Sequence, residues 1–168
     1  MSCIGCSRGG PSAIRVPDGT PIVLISVDTL RSDHLPAYGY GGVETPAIDE
    51  LRRDGILFER AYTHVPLTLP SHTSLLTGAL PPAHGVRDNL GYTVDSTTTP
   101  LLQEILKGSG YATGAGDSAY VLRRATGISA GFDFYEDDIE ISADPSGPGV
   151  QAIQRPGAAT LNAVRPLS

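Results

Sequence analysis

The chain has 168 residues, which is enough for one domain with a buried core. It carries 12 basic and 18 acidic residues, a formal net charge of −6, and this balance argues against non-specific binding to nucleic acid, which needs a basic face. No stretch approaches the roughly 18 apolar residues of a membrane span. Composition therefore indicates a globular domain and excludes a nucleic-acid-binding or membrane-spanning class.

The N-terminal segment, residues 1–19, is rich in small residues and holds both cysteines, Cys3 and Cys6. A C-x-x-C pair can be a redox site or half of a zinc site, but no second pair accompanies it. As written there is no signal peptide, because no apolar run of roughly 7–15 residues precedes the cysteines. Three interpretations stay open, and metal or redox chemistry at the cysteine pair is one of them. The segment is a flexible leader, or it is the remnant of a signal whose start lies upstream, which would make the protein periplasmic or lipid-anchored.

The first apolar segment is a continuous, β-branched run at residues 21–27. Such a run is typical of a strand buried on both faces, as in the parallel sheet of an α/β fold. Asp28 follows it directly. Ligands bind at the carboxyl ends of strands in open α/β sheets, so Asp28 is a candidate ligand residue. A strand-end carboxylate that only caps a turn fits the same pattern.

The next elements complete a β–α–β pattern. Thr45 and Pro46 provide an N-cap and a first helical residue, and Gly55 provides a stop, so a helix is predicted over residues 46–54. The partly alternating run at residues 56–62 predicts a second strand.

The stretch at residues 66–78 carries the strongest functional signal. Pro70 forces Leu69 toward extended geometry and suits the first turn of a helix, so residues 71–78 are predicted to be helical. The free N–H groups and the dipole of that helix favour an anion, which places the Thr68 hydroxyl to attack or hold a phosphate- or sulfate-like group. A Thr/Ser-rich cap on a surface helix gives the same local pattern.

The rest of the chain alternates loops with short elements. The acidic run at residues 136–140 lacks the alternating carboxylates and the glycine of a calcium loop, and we predict a solvated loop there. The other predicted elements are a polar loop at 81–89, a helix at 99–107, a strand at 111–115, a short helix at 119–125, a packed turn at 131–135, a Pro/Gly/Ser-rich loop at 142–156 and a helix start at 158–164.

Three short β–α segments place Asp28, Thr68 and Asp117 near strand ends. This predicts an α/β fold with a mostly parallel sheet and flanking helices. Three strands make a small sheet whose faces need covering, which indicates an incomplete N-terminal portion of a larger domain. The predicted divisions are the leader 1–19, the α/β domain 20–140, and a loop with a truncated helix at 141–168.

Six short segments stand out, in chain order VDTLRSDHL at 27–35, YGY at 38–40, TLPSH at 68–72, LLTG at 75–78, HGVR at 84–87 and GYAT at 110–113. Their content and order resemble the N-terminal portion of the sulfatase family, within the alkaline phosphatase superfamily. The segments TLPSH and LLTG together resemble the family signature C/S-x-P-S-R…T-G. The resemblance covers about residues 21–140 and implies an alkaline-phosphatase/sulfatase-like fold.

The resemblance also implies roles for individual residues. Asp28 corresponds to a metal-ligating carboxylate. Thr68 occupies the nucleophile position, which in sulfatases is a Cys or Ser oxidised to formylglycine. His72 occupies the position of the Arg that supports this nucleophile. The implied substrate is a small-molecule, glycan or lipid ester, and the remaining metal ligands, together with a substrate-binding Lys, would lie beyond Ser168.

Three positions depart from the family pattern. Thr68 is neither Cys nor Ser, so no formylglycine is expected, and a plain Thr would form a sulfo- or phospho-ester that water must break. Thr nucleophiles are known in phosphoesterases and phosphotransferases of the superfamily, so the expected metal is Ca²⁺ if the protein is sulfatase-like and Zn²⁺ or Mn²⁺ if it is phosphoesterase-like. His72 replaces a permanent cation by one that titrates. Thr29 replaces a second carboxylate.

The predicted mechanism is in-line attack by Thr68, activated by a divalent metal held partly by Asp28. The N–H groups of Ser71 and His72 would hold the developing charge, and His72 or His84 would protonate the leaving group.

Arg87 is a further candidate contact to the anion. The competing hypothesis is a truncated or degenerate member without activity, because one carboxylate cannot hold a catalytic ion. A third is a phosphoesterase or phosphotransferase of the same superfamily.

Overall fold

The computed structural model describes residues 16–142 and 151–154. The leader with Cys3 and Cys6, up to residue 15, and the predicted helix at 158–164 lie outside the described residues.

The described residues form short α-helices in the N-terminal two thirds of the chain and short strands after them. The α-helices are α1 (Pro46–Asp54), α2 (Thr68–Thr77), α3 (Pro81–His84) and α4 (Leu102–Gly108). The 3₁₀ helices are Ser32–His34, Pro36–Tyr38, Tyr120–Leu122 and Arg124–Thr126. The strands are β1 (Gly114–Gly116), β2 (Phe134–Glu136), β3 (Ile139–Ser142) and β4 (Gln151–Gln154). Among these elements, no helix combines the length and the apolar content that crossing a membrane requires.

Helix α1 has the limits that its sequence predicts. Pro46 is its first residue, and the Gly55 N–H donates to the Leu51 carbonyl at 2.9 Å to close the last turn. Thr45 stands at the N-cap, but its hydroxyl contacts the Asp49 carboxylate at 3.3 Å instead of a backbone N–H. The predicted helix is therefore confirmed, while its start depends on the proline more than on a hydroxyl cap.

Helix α2 begins at Thr68, three residues earlier than predicted. Leu67 before it is extended, and Gly78 after it adopts a φ of 66°, which glycine tolerates because it has no Cβ. Pro70 is the third helical residue, where a missing N–H costs no intrahelical bond. The first turn therefore includes Thr68 itself.

Helix α4 begins at Leu102 instead of residue 99. The Glu104 carboxylate accepts a hydrogen bond from the Leu101 N–H at 2.8 Å, which caps the helix from within its first turn.

Strands β1 and β2 pair in parallel, with Ala115 opposite Tyr135. Helices accompany this small parallel sheet, so the predicted α/β class is confirmed. The predicted turn at 131–135 is wrong in its second half, because residues from Phe134 onward pair with β1. The predicted helix at 119–125 consists of two 3₁₀ turns.

A second strand pair lies in the C-terminal region. Strands β3 and β4 pair antiparallel, with Ile139 opposite Gln154. The loop predicted over residues 142–156 is therefore wrong for β4, and the solvated loop predicted over 136–140 is wrong where β2 and β3 form. In each case backbone pairing with a distant strand overrides the polar local sequence.

The buried core joins α2 to the sheet and to the segment between β1 and β2. Its members are Leu69, Val86, Leu122, Ile128 and Tyr135. Leu69 and Val86 are completely buried. Burial of Leu69 fixes the first turn of α2, and with it the adjacent Thr68.

The strands predicted over residues 21–27 and 56–62 are wrong for this structure. Both runs are irregular backbone, and their apolar side chains are exposed apart from the half-buried Leu57, with 79% exposure for Val23 and Ile25 and 81% for Tyr62. A strand requires a neighbour for its N–H and C=O groups, and none of the described strands runs beside either segment. Apolar, β-branched sequence alone does not supply that neighbour.

Candidate active site

Asp28 and Thr68 meet at the start of α2. The Thr68 hydroxyl donates to the Asp28 Oδ2 atom at 3.3 Å, although the two residues lie 40 positions apart. Asp28 is exposed and Thr68 is half-buried. A hydroxyl at a helix N-terminus and a carboxylate thus share one accessible point, as the sequence-based hypothesis required.

The backbone turns sharply at Asp28. The Leu30 N–H contacts the Val27 carbonyl at 3.4 Å, and Thr29 adopts a φ of 57°. A β-branched residue in this left-handed region is strained, and strain of this kind concentrates at functional sites. The turn aims the Asp28 carboxylate at α2.

His72 connects the segment before Asp28 to α2. Its Nδ1 atom lies 2.8 Å from the Thr68 carbonyl, and its Nε2 atom lies 2.9 Å from the Ser26 hydroxyl. A carbonyl only accepts, so Nδ1 carries the hydrogen and donates, and neutral His72 accepts at Nε2 from Ser26. His72 therefore contacts the backbone of Thr68 and not its hydroxyl.

Sequence reasoning missed Ser26. Its only signal was a polar residue inside an otherwise apolar run.

The amide groups at the start of α2 are mostly occupied. The Leu69 N–H donates to the Asn89 side-chain oxygen at 2.9 Å, and the Ser71 N–H donates to the Leu67 carbonyl at 3.0 Å. The expectation that the Ser71 amide is free to hold charge is therefore wrong. The Ser71 hydroxyl also turns back to the Thr68 carbonyl, at 3.0 Å.

The His72 amide, as the fifth helical residue, bonds within the helix by the regular i→i−4 pattern. Asn89, which caps the helix from a distant loop, is a second residue that the sequence did not single out.

His84 lies at the other end of α2. Its Nδ1 atom accepts from the Val86 N–H at 3.2 Å, so Nε2 carries the hydrogen and donates to the Ser74 hydroxyl at 2.9 Å. Burial lowers the pKa of His84. Both ring nitrogens are occupied and the side chain is buried, so the structure does not offer His84 to a substrate or a leaving group.

Arg87 is exposed, and within the described residues its guanidinium makes no hydrogen bond or ion pair. The structure does not bring it to Thr68 by any described contact.

Asp117 follows β1, as the sequence predicts. Its carboxylate accepts from the Ala119 N–H at 2.5 Å and from the Tyr135 hydroxyl at 3.3 Å. Burial raises the pKa of Asp117, whereas its hydrogen bonds act in the opposite direction.

Asp28 and Thr68 offer the type of ligand atom that a divalent metal ion binds, but too few of them. The Asp28 carboxylate and the Thr68 hydroxyl are the hard oxygen donors that Ca²⁺ prefers, yet Ca²⁺ takes about 6–8 oxygen ligands. Across the part of the chain that the structure describes, no three His, Cys, Asp or Glu side chains form a cluster that could hold a metal. Asp28 and Thr68 alone are therefore too few ligands to hold a divalent cation.

Comparisons with known proteins identify the family of this chain. The family model described as Sulfatase matches residues 20–160. N-acetylgalactosamine-6-sulfatase of Sus scrofa is 33% identical over 118 residues, which cover 64% of this chain and 23% of that protein. Arylsulfatase of Clostridium perfringens is 45% identical over 64 residues, which cover 38% of this chain and 13% of that protein.

A solved structure of a 2-O GAG sulfatase superposes with a TM-score of 0.52 and 28% identity, covering 68% of this chain and 25% of that one. The chain therefore spans about a quarter or less of the length of these relatives. The family model matches well over half of the chain, and the structural match confirms the sulfatase-like α/β fold. This chain belongs to the sulfatase family.

Proposed function

We propose that this chain supplies the nucleophile region of a sulfate-ester hydrolase that acts on sulfated glycans. The observation that carries the proposal is the Thr68–Asp28 hydrogen bond at the N-terminus of α2. The names of two relatives, an N-acetylgalactosamine-6-sulfatase and a 2-O GAG sulfatase, support a glycan substrate.

Thr68 is the proposed nucleophile. Its hydroxyl already points at Asp28, which is placed to take the proton as Thr68 Oγ attacks the sulfur. The bond between sulfur and the glycan oxygen breaks, and the glycan leaves as an alcohol after that oxygen takes the proton from Asp28. Water then breaks the bond between sulfur and Thr68 Oγ, which releases sulfate and restores the hydroxyl.

The neighbouring residues position this nucleophile. His72 holds the Thr68 carbonyl and Ser26, which fixes the first turn of α2 against the segment that carries Asp28. The Asn89 side-chain oxygen accepts a hydrogen bond from the Leu69 N–H, and the Leu69 side chain is buried. Asp28 and Thr68 would supply only two of the ligands that a divalent cation needs, and such a cation would offset the negative charge of the ester.

Phosphate esters are the second candidate substrates, because Thr68 is unmodified threonine. A Thr ester has no second hydroxyl of its own to expel the bound group, so water must do so in either case. Phosphorus and sulfur monoesters present the same tetrahedral oxyanion to the first turn of α2. Relative turnover of a sulfate ester and a phosphate ester distinguishes the two substrate classes.

The test compares Thr68→Ala, Thr68→Ser and the unchanged protein on 4-nitrophenyl sulfate, 4-nitrophenyl phosphate and bis(4-nitrophenyl) phosphate. We expect no turnover by Thr68→Ala and partial turnover by Thr68→Ser. In the unchanged protein and in Thr68→Ser, mass spectrometry should detect a sulfo or phospho group on residue 68. Full turnover by Thr68→Ala contradicts the nucleophile assignment. No turnover of any ester by the unchanged protein supports the degenerate-member hypothesis instead.

A further inference from the structure

Two adjacent arginines between β1 and β2 differ in what they contact. Arg124 donates to the Tyr135 carbonyl at 2.5 Å and lies 3.9 Å from the Asp137 carboxylate. Within the described residues, the Arg123 guanidinium makes no hydrogen bond or ion pair, and its Nε atom is buried without an acceptor. Its central carbon lies 3.9 Å from the centroid of the Tyr120 ring. Arg124 therefore links its segment to β2 and Asp137, whereas none of the described residues accepts a hydrogen bond from the Arg123 guanidinium.

The backbone holds Arg123 firmly. Its carbonyl accepts from both the N–H and the hydroxyl of Thr126, each at 2.9 Å. The preceding residue, Leu122, is buried, and its carbonyl accepts from the Tyr135 hydroxyl at 2.6 Å. The stacking on Tyr120 adds a cation–π contact. The guanidinium is thus pre-organised, which reduces the entropy lost when it binds a ligand.

The segment that carries Arg123 lies beside α2. The 3₁₀ helix Tyr120–Leu122 contacts α2, and Leu122 shares the buried core with Leu69, the neighbour of Thr68. Arg123 therefore directly follows an element that packs against α2.

We propose that Arg123, stacked on Tyr120, binds a second anionic group, a sulfate or a carboxylate, of a glycan whose reacting ester lies at Thr68. The planar guanidinium fork matches the two oxygens of such a group. The Arg123 side chain is half-buried with Nε closed to solvent, and none of the described residues accepts from its guanidinium, so its Nη groups are left to bind the oxygens of a ligand. The nearby carboxylates are engaged elsewhere, Asp137 by Arg124 and Asp117 by Ala119 and Tyr135. This inference rests on the proposed glycan substrate.

The test uses two disaccharides that share one sulfate ester and differ only in a second anionic group. Dissociation constants are measured by calorimetry on the Thr68→Ala chain, to prevent turnover. We expect Arg123→Gln to weaken binding of the dianionic ligand on the order of tenfold and to leave the monoanionic ligand unchanged. Arg123→Lys keeps the charge but loses the fork, so its effect should be intermediate. Arg53→Gln, on exposed helix α1, is the charge-matched control.

Three outcomes overturn the proposal. They are equal affinity of the starting chain for both disaccharides, equal loss for both ligands in Arg123→Gln, and no measurable binding. Matching thermal midpoints of Arg123→Gln and the starting chain show that the fold is retained. The Arg123 Nε–H resonance should shift only with the dianionic ligand. Turnover retained by Thr68→Ala would refute the nucleophile alone, because the affinity difference assigned to Arg123 does not depend on which residue attacks.

Discussion

The Thr68 hydroxyl donates a hydrogen bond to the Asp28 carboxylate across 40 positions of sequence. This contact brings together the proposed nucleophile and its proposed proton acceptor at a helix N-terminus, where backbone dipoles favour an anion. Each residue on its own has an ordinary structural explanation as a cap or a turn former. The contact between them is what supports the chemistry.

Asp28→Asn should reduce turnover by about a hundredfold or more, because the amide keeps the shape but cannot take the Thr68 proton. Asp28 is exposed, so the free energy of unfolding should change by less than about 0.5 kcal/mol. Initial rates and urea unfolding measure the two effects. Asp33→Asn is the control, since Asp33 is exposed and pairs with Arg31. Equal losses of rate in the two variants would remove Asp28 from the mechanism.

Thr29→Asn should stabilise the protein by about 0.5–1 kcal/mol, because Asn tolerates the left-handed region better than a β-branched residue does. Urea unfolding measures the change. Thr29→Val keeps a β-branched side chain and should not raise the free energy of unfolding. If Thr29→Asn is instead less stable, the threonine hydroxyl contributes more than the φ of 57° costs.

Asn89→Ala should destabilise the protein by about 1 kcal/mol, because the Leu69 N–H at the start of α2 loses its side-chain acceptor. The variant should also lower turnover, since that turn carries Thr68. Asn89→Asp retains an oxygen acceptor and should preserve most of the stability. Comparable destabilisation by Ala and Asp would show that Asn89 acts through its own loop instead.

His84 should make stability depend on pH. Burial lowers its folded pKa below the unfolded value, so the unfolded state binds more protons. Neutral His84 contributes fully to the free energy of unfolding above the ordinary histidine pKa of about 6.5, and this contribution is lost as pH falls toward the folded pKa. Unfolding free energies across this window should fall with acid, and less so in His84→Gln. His64→Gln, at an exposed position, should leave the slope unchanged; an identical slope in His84→Gln would exclude His84 as the source.

Tyr135→Phe should cost about 1–3 kcal/mol, because the buried hydroxyl donates to the Leu122 carbonyl, which would be left without this donor. Burial and the nearby Asp117 raise the pKa of Tyr135, so the phenol stays protonated and keeps donating well into alkaline pH. Thermal and urea unfolding measure the loss. Tyr62→Phe, at a residue with 81% exposure, should change stability by less than about 0.5 kcal/mol. A similar small change for Tyr135→Phe would contradict the role of its hydroxyl.

The sequence by itself determined the family, the α/β class and the elements fixed by neighbours in the chain. Helix α1 follows from Pro46 and Gly55, and Gly78 ends α2 where the sequence placed the stop. These features depend on backbone geometry within a few residues, which residue type largely dictates. The motif around Thr68 is equally local.

Only the tertiary structure decided which distant groups meet. It pairs Asp28 with Thr68, gives the Leu69 amide to Asn89, and occupies both nitrogens of His84. It also leaves residues 21–27 exposed, although their sequence is that of a buried strand. A strand or a site needs partners from elsewhere in the chain, and no local propensity specifies them. For that reason the chemistry of this protein depends on contacts that its sequence pattern could only suggest.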